Sequence, residues 1–336
     1  MTRKSITRMG IAAIVVVLIA AYGVGQWWQW ATQPYARESN PQVLMVSQGM
    51  TAATVAQELE QRRLIRSALV FRVLARSRQV DGKLLAGEYT LSAALSPDEI
   101  ISRLLKGPDI VRVTIPEGYT TGQIIQVLVQ NGLGTSQEFE KVVESDSFPY
   151  SFLAGAPAGP HRLEGFLFPD TYFFEQGSSP HAIIDTFLQR FAKELTPETL
   201  ALLQQRKLSV HDWVTLSSLV EKEAAKASDR PLIASVFFNR LKIGMPLQSD
   251  PTIQFILGGP QRTKIYDKDL KIESPYNTYL HAGLPPGPIA NPGDASLQAV
   301  LHPANTKYLY FVAKGDGYHA FAETYQQQLE NEKKYQ

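Results

Sequence analysis

An α+β protein behind a membrane helix is expected from three features of the 336-residue chain. The N-terminus is basic, then apolar; a strand–turn–helix pattern occurs twice; and a long helical stretch gives way late to short alternating runs. The expected order is a short cytoplasmic N-terminus over 1–8, a transmembrane helix over 9–28 and a linker over 29–41. A small β-α-α-β module over 42–110 and a larger, mostly helical domain with a few strands over 111–336 follow.

Arg3, Lys4 and Arg8 precede the apolar run 9–25, and Trp27, Trp28 and Trp30 follow it. Positive charge, apolar stretch and aromatic belt in that order describe a single span with the N-terminus inside. A cleaved signal peptide is the other reading, because Ala20 and Ala21 fall where a peptidase cuts. Under both readings everything after about residue 30 lies outside the cytoplasmic membrane.

The repeat relates 44–64 to 113–133. Gly49 matches Gly118, Thr51 matches Thr120, Val55 matches Ile124, Leu59 matches Leu128 and Leu64 matches Leu133. Each copy reads as an alternating strand, a glycine turn, a threonine cap and an amphipathic helix. The first copy continues with a helix over 68–77 behind Ser67, a strand near 87–91 and a helix from Pro97, capped by Ser96 and closed by Gly107. This order resembles a LysM-like module, a small fold that binds N-acetylated glycans; a spacer is the alternative role. The Gly-, Ala- and Pro-rich stretch 154–160 reads as a loop. Helices are expected to about Gly258 and turns over 258–293. A helix near 295–301, strands at 308–313 and 318–322, and a solvated helix over 325–336 close the chain.

Composition removes several function classes. A net charge of +1 gives no footprint for nucleic acid. With no cysteine there is no disulfide, thiolate metal site or cysteine nucleophile. The six histidines are scattered without zinc-binding spacing, and neither a GxSxG elbow nor a P-loop is present. No metal and no cofactor is expected.

The notable feature is a carboxylate on an apolar stripe. In the helix over 210–225, capped by Ser209 with Asp212 three residues on, Leu216, Leu219 and Val220 fall within about 60° of Glu223 at 100° per residue. Glu221 falls on the opposite side with Ser217 and Ser218, so it should be solvated or salt-bridged. A carboxyl in apolar surroundings resists ionisation and suits a general acid near neutral pH. The competing reading is a structural glutamate paired with Arg230 or Arg240. A second helix from about Asp229 to Gly244 leads to GMPLQSDP, which feeds a short helix capped by Asp250. The loops carrying Gln248, Tyr276 and Asn277 offer amides and rings suited to sugars. Glu164, in LEGFLFPD, is a further pocket candidate.

At these residues a resemblance becomes visible. VEKEAAKASDRPLIASVFFNRLKIGMPLQSDPT and YNTYLHAGLPPGPIANPG, with LEGFLFPDTYFF and VTIPEGYTTGQI, closely resemble the MltG (YceG-like) family of endolytic murein transglycosylases. The likeness covers nearly all of the chain after the N-terminal helix. It implies a lyase that cleaves the β-1,4 bond between N-acetylmuramic acid and N-acetylglucosamine in nascent peptidoglycan strands. The second Glu of E-K-E, Glu223, is implied as acid and then base, and a 1,6-anhydromuramyl end as the product. Gln248, Asn277, Tyr276 and Glu164 are candidate sugar contacts; building the turns they sit in, and for Glu164 a structural role, are the alternatives. A peptidoglycan synthase is the implied partner, and the cytoplasmic membrane, with the catalytic domain outside it, the implied location. A hydrolase that admits water, and an inactive glycan-binding scaffold, are the two competing functions.

Overall fold

The computed structural model describes residues 3–38, 40–47, 49–80, 82–154, 159–259 and 265–335. Part of the expected 154–160 loop lies outside the described residues. The chain divides into two compact units, Met1–Arg112 with Phe173–Gln176, and Val113–Tyr172 with Gly177–Gln336.

The first unit opens with α1 (Arg3–Thr32). Its stretch Ile14–Thr32 is long and apolar enough to cross a membrane, and runs a few residues past the expected end at 28. Next come β1 (Pro41–Val46), α2 (Ala52–Gln61), α3 (Ala68–Ser77), β2 (Gly87–Ser92) and α4 (Pro97–Lys106). That is the β-α-α-β order with a further helix. Caps set the boundaries where the sequence placed them. Thr51 and Ser67 accept from Thr54 N and Val70 N, and Ser96 forms a capping box with Glu99. β1 and β2 pair antiparallel, Leu44 opposite Tyr89. The core gathers Leu44, Val55, Leu59, Phe71, Tyr89 and Ile100. Two further strands, β3 (Ile110–Thr114) and, later in the chain, β4 (Thr171–Glu175), complete a sheet in the order β1-β2-β3-β4. The chain passes between the units within these two strands.

In the second unit, α5 (Thr121–Gln130) and α6 (Ser136–Ser145) lie between β3 and β4. The repeat is therefore longer in structure than in sequence: each copy is strand, helix, helix, then strand. Its matched positions do matched work. Gly49 and Gly118 both take positive φ, +84° and +74°. Thr51 and Thr120 both cap. Leu64 N bonds Leu59 O at 2.9 Å and Leu133 N bonds Leu128 O at 3.1 Å, closing the two helices alike.

Then follow α7 (Pro180–Ala192), α8 (Pro197–Arg206), α9 (Val210–Glu223), α10 (Arg230–Lys242), α11 (Asp250–Leu257) and α12 (Asp294–Leu301). The hairpin β5 (Tyr310–Ala313) and β6 (His319–Ala322), and α13 (Tyr325–Tyr335), end the chain. α13 is not simply solvated as expected: Gln328 is 7% exposed and its amide reaches Phe311 O at 3.2 Å, seating the helix on β5.

α9 is the centre of this unit, and it corrects the one-sided stripe. Every residue from Trp213 to Val220 is buried. Ser217 and Ser218, placed on the solvent side by periodicity, are fully buried. Their hydroxyls bond Trp213 O and Thr215 O at 2.7 Å, so these small side chains bring no unsatisfied polar group inside. Trp213 anchors the helix by donating to Leu297 O at 3.0 Å.

Candidate active site

Glu223 is the last residue of α9 and remains half-buried. Ser249 Oγ donates to Glu223 Oε1 at 2.6 Å. The sequence placed the cap of α11 at Asp250. The structure places it at Ser249, which gives its own helix no side-chain cap. A serine that forgoes capping has spent its hydroxyl elsewhere, here on Glu223. Ser249 is held in turn: its amide donates to Thr278 Oγ1 at 3.0 Å, and Thr252 Oγ1 donates to Ser249 O at 2.7 Å.

Desolvation pushes the Glu223 carboxyl up to about 7, aided by the negative field of Asp250. The Ser249 bond and the Arg240 charge pull the other way, less strongly. Neither arginine suggested as a partner forms an ion pair with Glu223 among the described residues. Arg230 pairs with Glu221 at 3.3 Å. Arg240, 7% exposed, spends its guanidinium on Leu309 O at 2.6 Å and Leu247 O at 2.7 Å. Tyr279 donates to Asp250 at 2.6 Å and, through burial and this bond, its hydroxyl stays protonated well above its usual range.

The other two members of the triplet fasten other loops. Lys222 Nζ donates to Gly118 O at 3.3 Å. The Glu221 side chain is only 7% exposed, a second departure from the expected solvated face. It accepts from Gly293 N at 3.1 Å and Ser296 Oγ at 2.7 Å, besides pairing with Arg230. A buried carboxylate with three partners is a structural member. Glu221→Gln is expected to cost about 1–3 kcal/mol of stability, read as a lower midpoint in urea; an unchanged midpoint would refute this role.

The remaining sequence candidates separate. Glu164 is 2% exposed and lines a cleft of about 750 Å³ together with Thr121, His161, Lys222, Gln254 and Phe255. Burial pushes it up to about 8, against the bond from Thr121 N at 3.0 Å; Asn291 Nδ2 also donates to it at 3.1 Å. Glu223 is not among the residues lining this cleft, but Lys222 and Pro251, beside it and beside Asp250, are. The Tyr276 ring lies tilted to Phe255 at 5.0 Å and edge-on to His161 at 6.1 Å between ring centres, and both of those residues line the cleft. Gln248 is exposed, in the left-handed region at φ +49°. For a residue other than glycine this is strained backbone, and it directly precedes Ser249. Asn277 is fully buried. Its amide is spent on Leu270 O, Ile272 O and Tyr279 N at 2.8–3.0 Å, so it shapes the Thr278–Tyr279 loop and has no free edge for a sugar. Ser249, Thr278, Tyr279 and Asn291 were not singled out from sequence. The local signal for Ser249 was a serine at the cap position of α11, visible in QSDP.

Glu223 is thus a desolvated carboxyl at the end of α9, next in the chain to the cleft residue Lys222, and it is the candidate proton donor of this site. The chain belongs to the YceG-like family, whose model matches residues 44–334. It is 33% identical over 323 residues to the endolytic murein transglycosylase of Bacillus subtilis strain 168, across 90% of this chain and 87% of that one. It is also 33% identical over 295 residues to the endolytic murein transglycosylase of Streptococcus pneumoniae D39. That match takes in 80% of this chain and 53% of the other, so the chain spans about half of the pneumococcal protein. The crystal structure of a yceG-like protein from Listeria monocytogenes is similar at a TM-score of 0.68 and 32% identity, over 86% of this chain and 98% of that one.

Proposed function

We propose that this protein is an endolytic murein transglycosylase, a lyase that cuts peptidoglycan glycan strands with Glu223 as its acid and base. The observation that carries the reading is the Glu223 carboxyl. It is pushed up to about 7 at the end of α9 and held by Ser249, in a chain one-third identical to relatives of that name.

The proposed reaction balances with one carboxyl. Protonated Glu223 gives its proton to the oxygen between N-acetylmuramic acid and N-acetylglucosamine as the C1–O bond breaks. The carboxylate then takes the proton of the muramyl 6-hydroxyl, whose oxygen bonds C1, and the 1,6-anhydro ring closes. Glu223 ends protonated, and no water is consumed. The nucleophile belongs to the substrate, so the second carboxylate of a hydrolytic glycosidase is not needed. A value near 7 suits both halves, because the group gives a proton and accepts one in a single turnover. Gln248 and Tyr276 are the proposed sugar contacts. α1 is proposed as a membrane anchor, which places the rest of the chain outside the cytoplasmic membrane, and the module after it as a LysM-like glycan contact. A peptidoglycan synthase is the proposed partner.

Mass spectrometry of purified peptidoglycan treated with the protein tests the reaction. Anhydromuramyl ends are expected; reducing ends would replace the lyase by a hydrolase. Ser249→Ala tests the site. Its hydroxyl lowers the Glu223 value, so its loss should move the alkaline limb of the rate profile to higher pH. Ser249→Thr should restore the limb. A profile unmoved by Ser249→Ala would remove Ser249 from the site.

A further inference from the structure

α3 has two unlike faces. Val70, Phe71 and Ala75 are buried in the core of the first unit. On the other side Leu69 and Val73 are 57% and 45% exposed, with Arg72 and Arg76 exposed beside them. At 100° per residue these four fall within about 100° of arc. An apolar pair one turn apart, flanked by arginines, is the pattern of a helix lying at a membrane interface.

The charge here is one-sided. Between Glu58 and Arg78 there are six arginines and two glutamates. Both glutamates are engaged: Glu58 with Arg62, and Glu60 with the Ala68 amide at the start of α3. Arg78 pairs with Asp98. Among the described residues, Arg72 and Arg76 form no ion pair.

The face also begins where the apolar helix ends. Arg66 donates to Trp30 O at 3.3 Å and its guanidinium lies 4.8 Å from the Trp30 ring. Ala31 is fully buried. A ten-residue helix is about 15 Å long, so the exposed stripe lies within that distance of the junction. A surface tethered so closely to a membrane span meets lipid headgroups at very high local concentration.

We propose that the outer face of α3 seats on the outer surface of the membrane beside its own anchor. Leu69 and Val73 enter the boundary between headgroups and acyl chains, and Arg72 and Arg76 bind the phosphates of anionic lipids. Lipid fits better than glycan, because the face carries aliphatic and guanidinium groups and none of the rings or amides that bind sugars. The proposal rests on α1 spanning the membrane, as proposed above. It makes the first unit a membrane-seated base, where a stalk would hold its surroundings in solvent.

The chain has no cysteine, so Val73→Cys in the full chain takes a single environment-sensitive dye. The protein is reconstituted into nanodiscs of phosphatidylcholine alone or with phosphatidylglycerol, each with and without doxyl lipid. In the anionic discs a blue-shifted emission is expected, with at least twofold stronger doxyl quenching than in the zwitterionic discs. Both should fall toward the zwitterionic level in high salt and in the Arg72→Glu/Arg76→Glu variant. Equal quenching in the two discs, or quenching unmoved by salt and charge reversal, would overturn the proposal. Failure to enter either disc, scored by co-elution before any spectrum, would overturn the anchor reading itself and this seat with it.

Discussion

Glu223→Gln is expected to slow glycan cleavage by about 10³-fold or more, the range for losing a positioned general acid, or ~4 kcal/mol in barrier. Folding should survive. The glutamine oxygen can still accept from Ser249, whose hydroxyl is the hydrogen-bond partner of Glu223. The sign of the pH effect separates catalysis from structure. The folded value of Glu223, about 7, lies above its unfolded value, so the native state holds this proton more tightly. Its contribution is fully present below the unfolded value and is lost as pH rises through 7. Glutamine does not titrate, so the variant should gain in melting temperature relative to the parent above pH 7 while remaining inactive at every pH. Normal release of anhydromuramyl products by the variant would remove Glu223 from the mechanism. A variant much less stable at every pH would make it a structural residue.

Gly165→Ala should produce the largest loss of stability, about 3 kcal/mol or more. Gly165 sits at φ +87°, and an added Cβ would lie 2.5 Å from Pro288 Cγ and 2.6 Å from Val214 Cγ1. The first is a left-handed conformation that side chains resist. The second is contact with a proline ring and a β-branched residue of α9, neither of which can swing away as a lysine would. For a unit of this size the melting temperature should drop by on the order of 10 °C. A drop under about 2 °C would show that the 288 loop yields freely. Because Glu164 adjoins Gly165, the same variant should also loosen the cleft wall.

Much of the fold was written locally. Ser67, Ser96, Thr120 and Ser209 each cap the helix that follows, because capping is decided within four residues. The doubled strand–turn–helix was readable because glycine, threonine and leucine recur at positions where backbone and core allow few substitutes. What escaped depends on partners far along the chain. Ser217 and Ser218 are polar letters, and their bonds to the backbone of their own helix, with one from Ile289 N to Ser218, let the middle of α9 be buried on every side. Glu221 could not be read as buried, because Gly293 and Ser296 reach it from more than seventy residues away. Glu223 is singled out in the sequence for a reason that is partly mistaken. The apolar stripe was real, but the opposite face is as deeply buried, and what distinguishes Glu223 is its place at the helix end beside Ser249. Asn277 shows the converse: an amide in a loop looks available to sugar until its partners are seen to be backbone.

The end of α9 has an evolutionary corollary. Glu221, Lys222 and Glu223 each fasten a different loop, at 293–296, 118 and 249. One inserted or deleted residue between Trp213 and this triplet would turn all three by 100° and shift them by 1.5 Å along the axis, undoing three loops at once. Point substitutions can drift along this helix, but its length cannot. Lineages that keep the enzyme should align without a gap from 213 to 223, however far their loops have diverged.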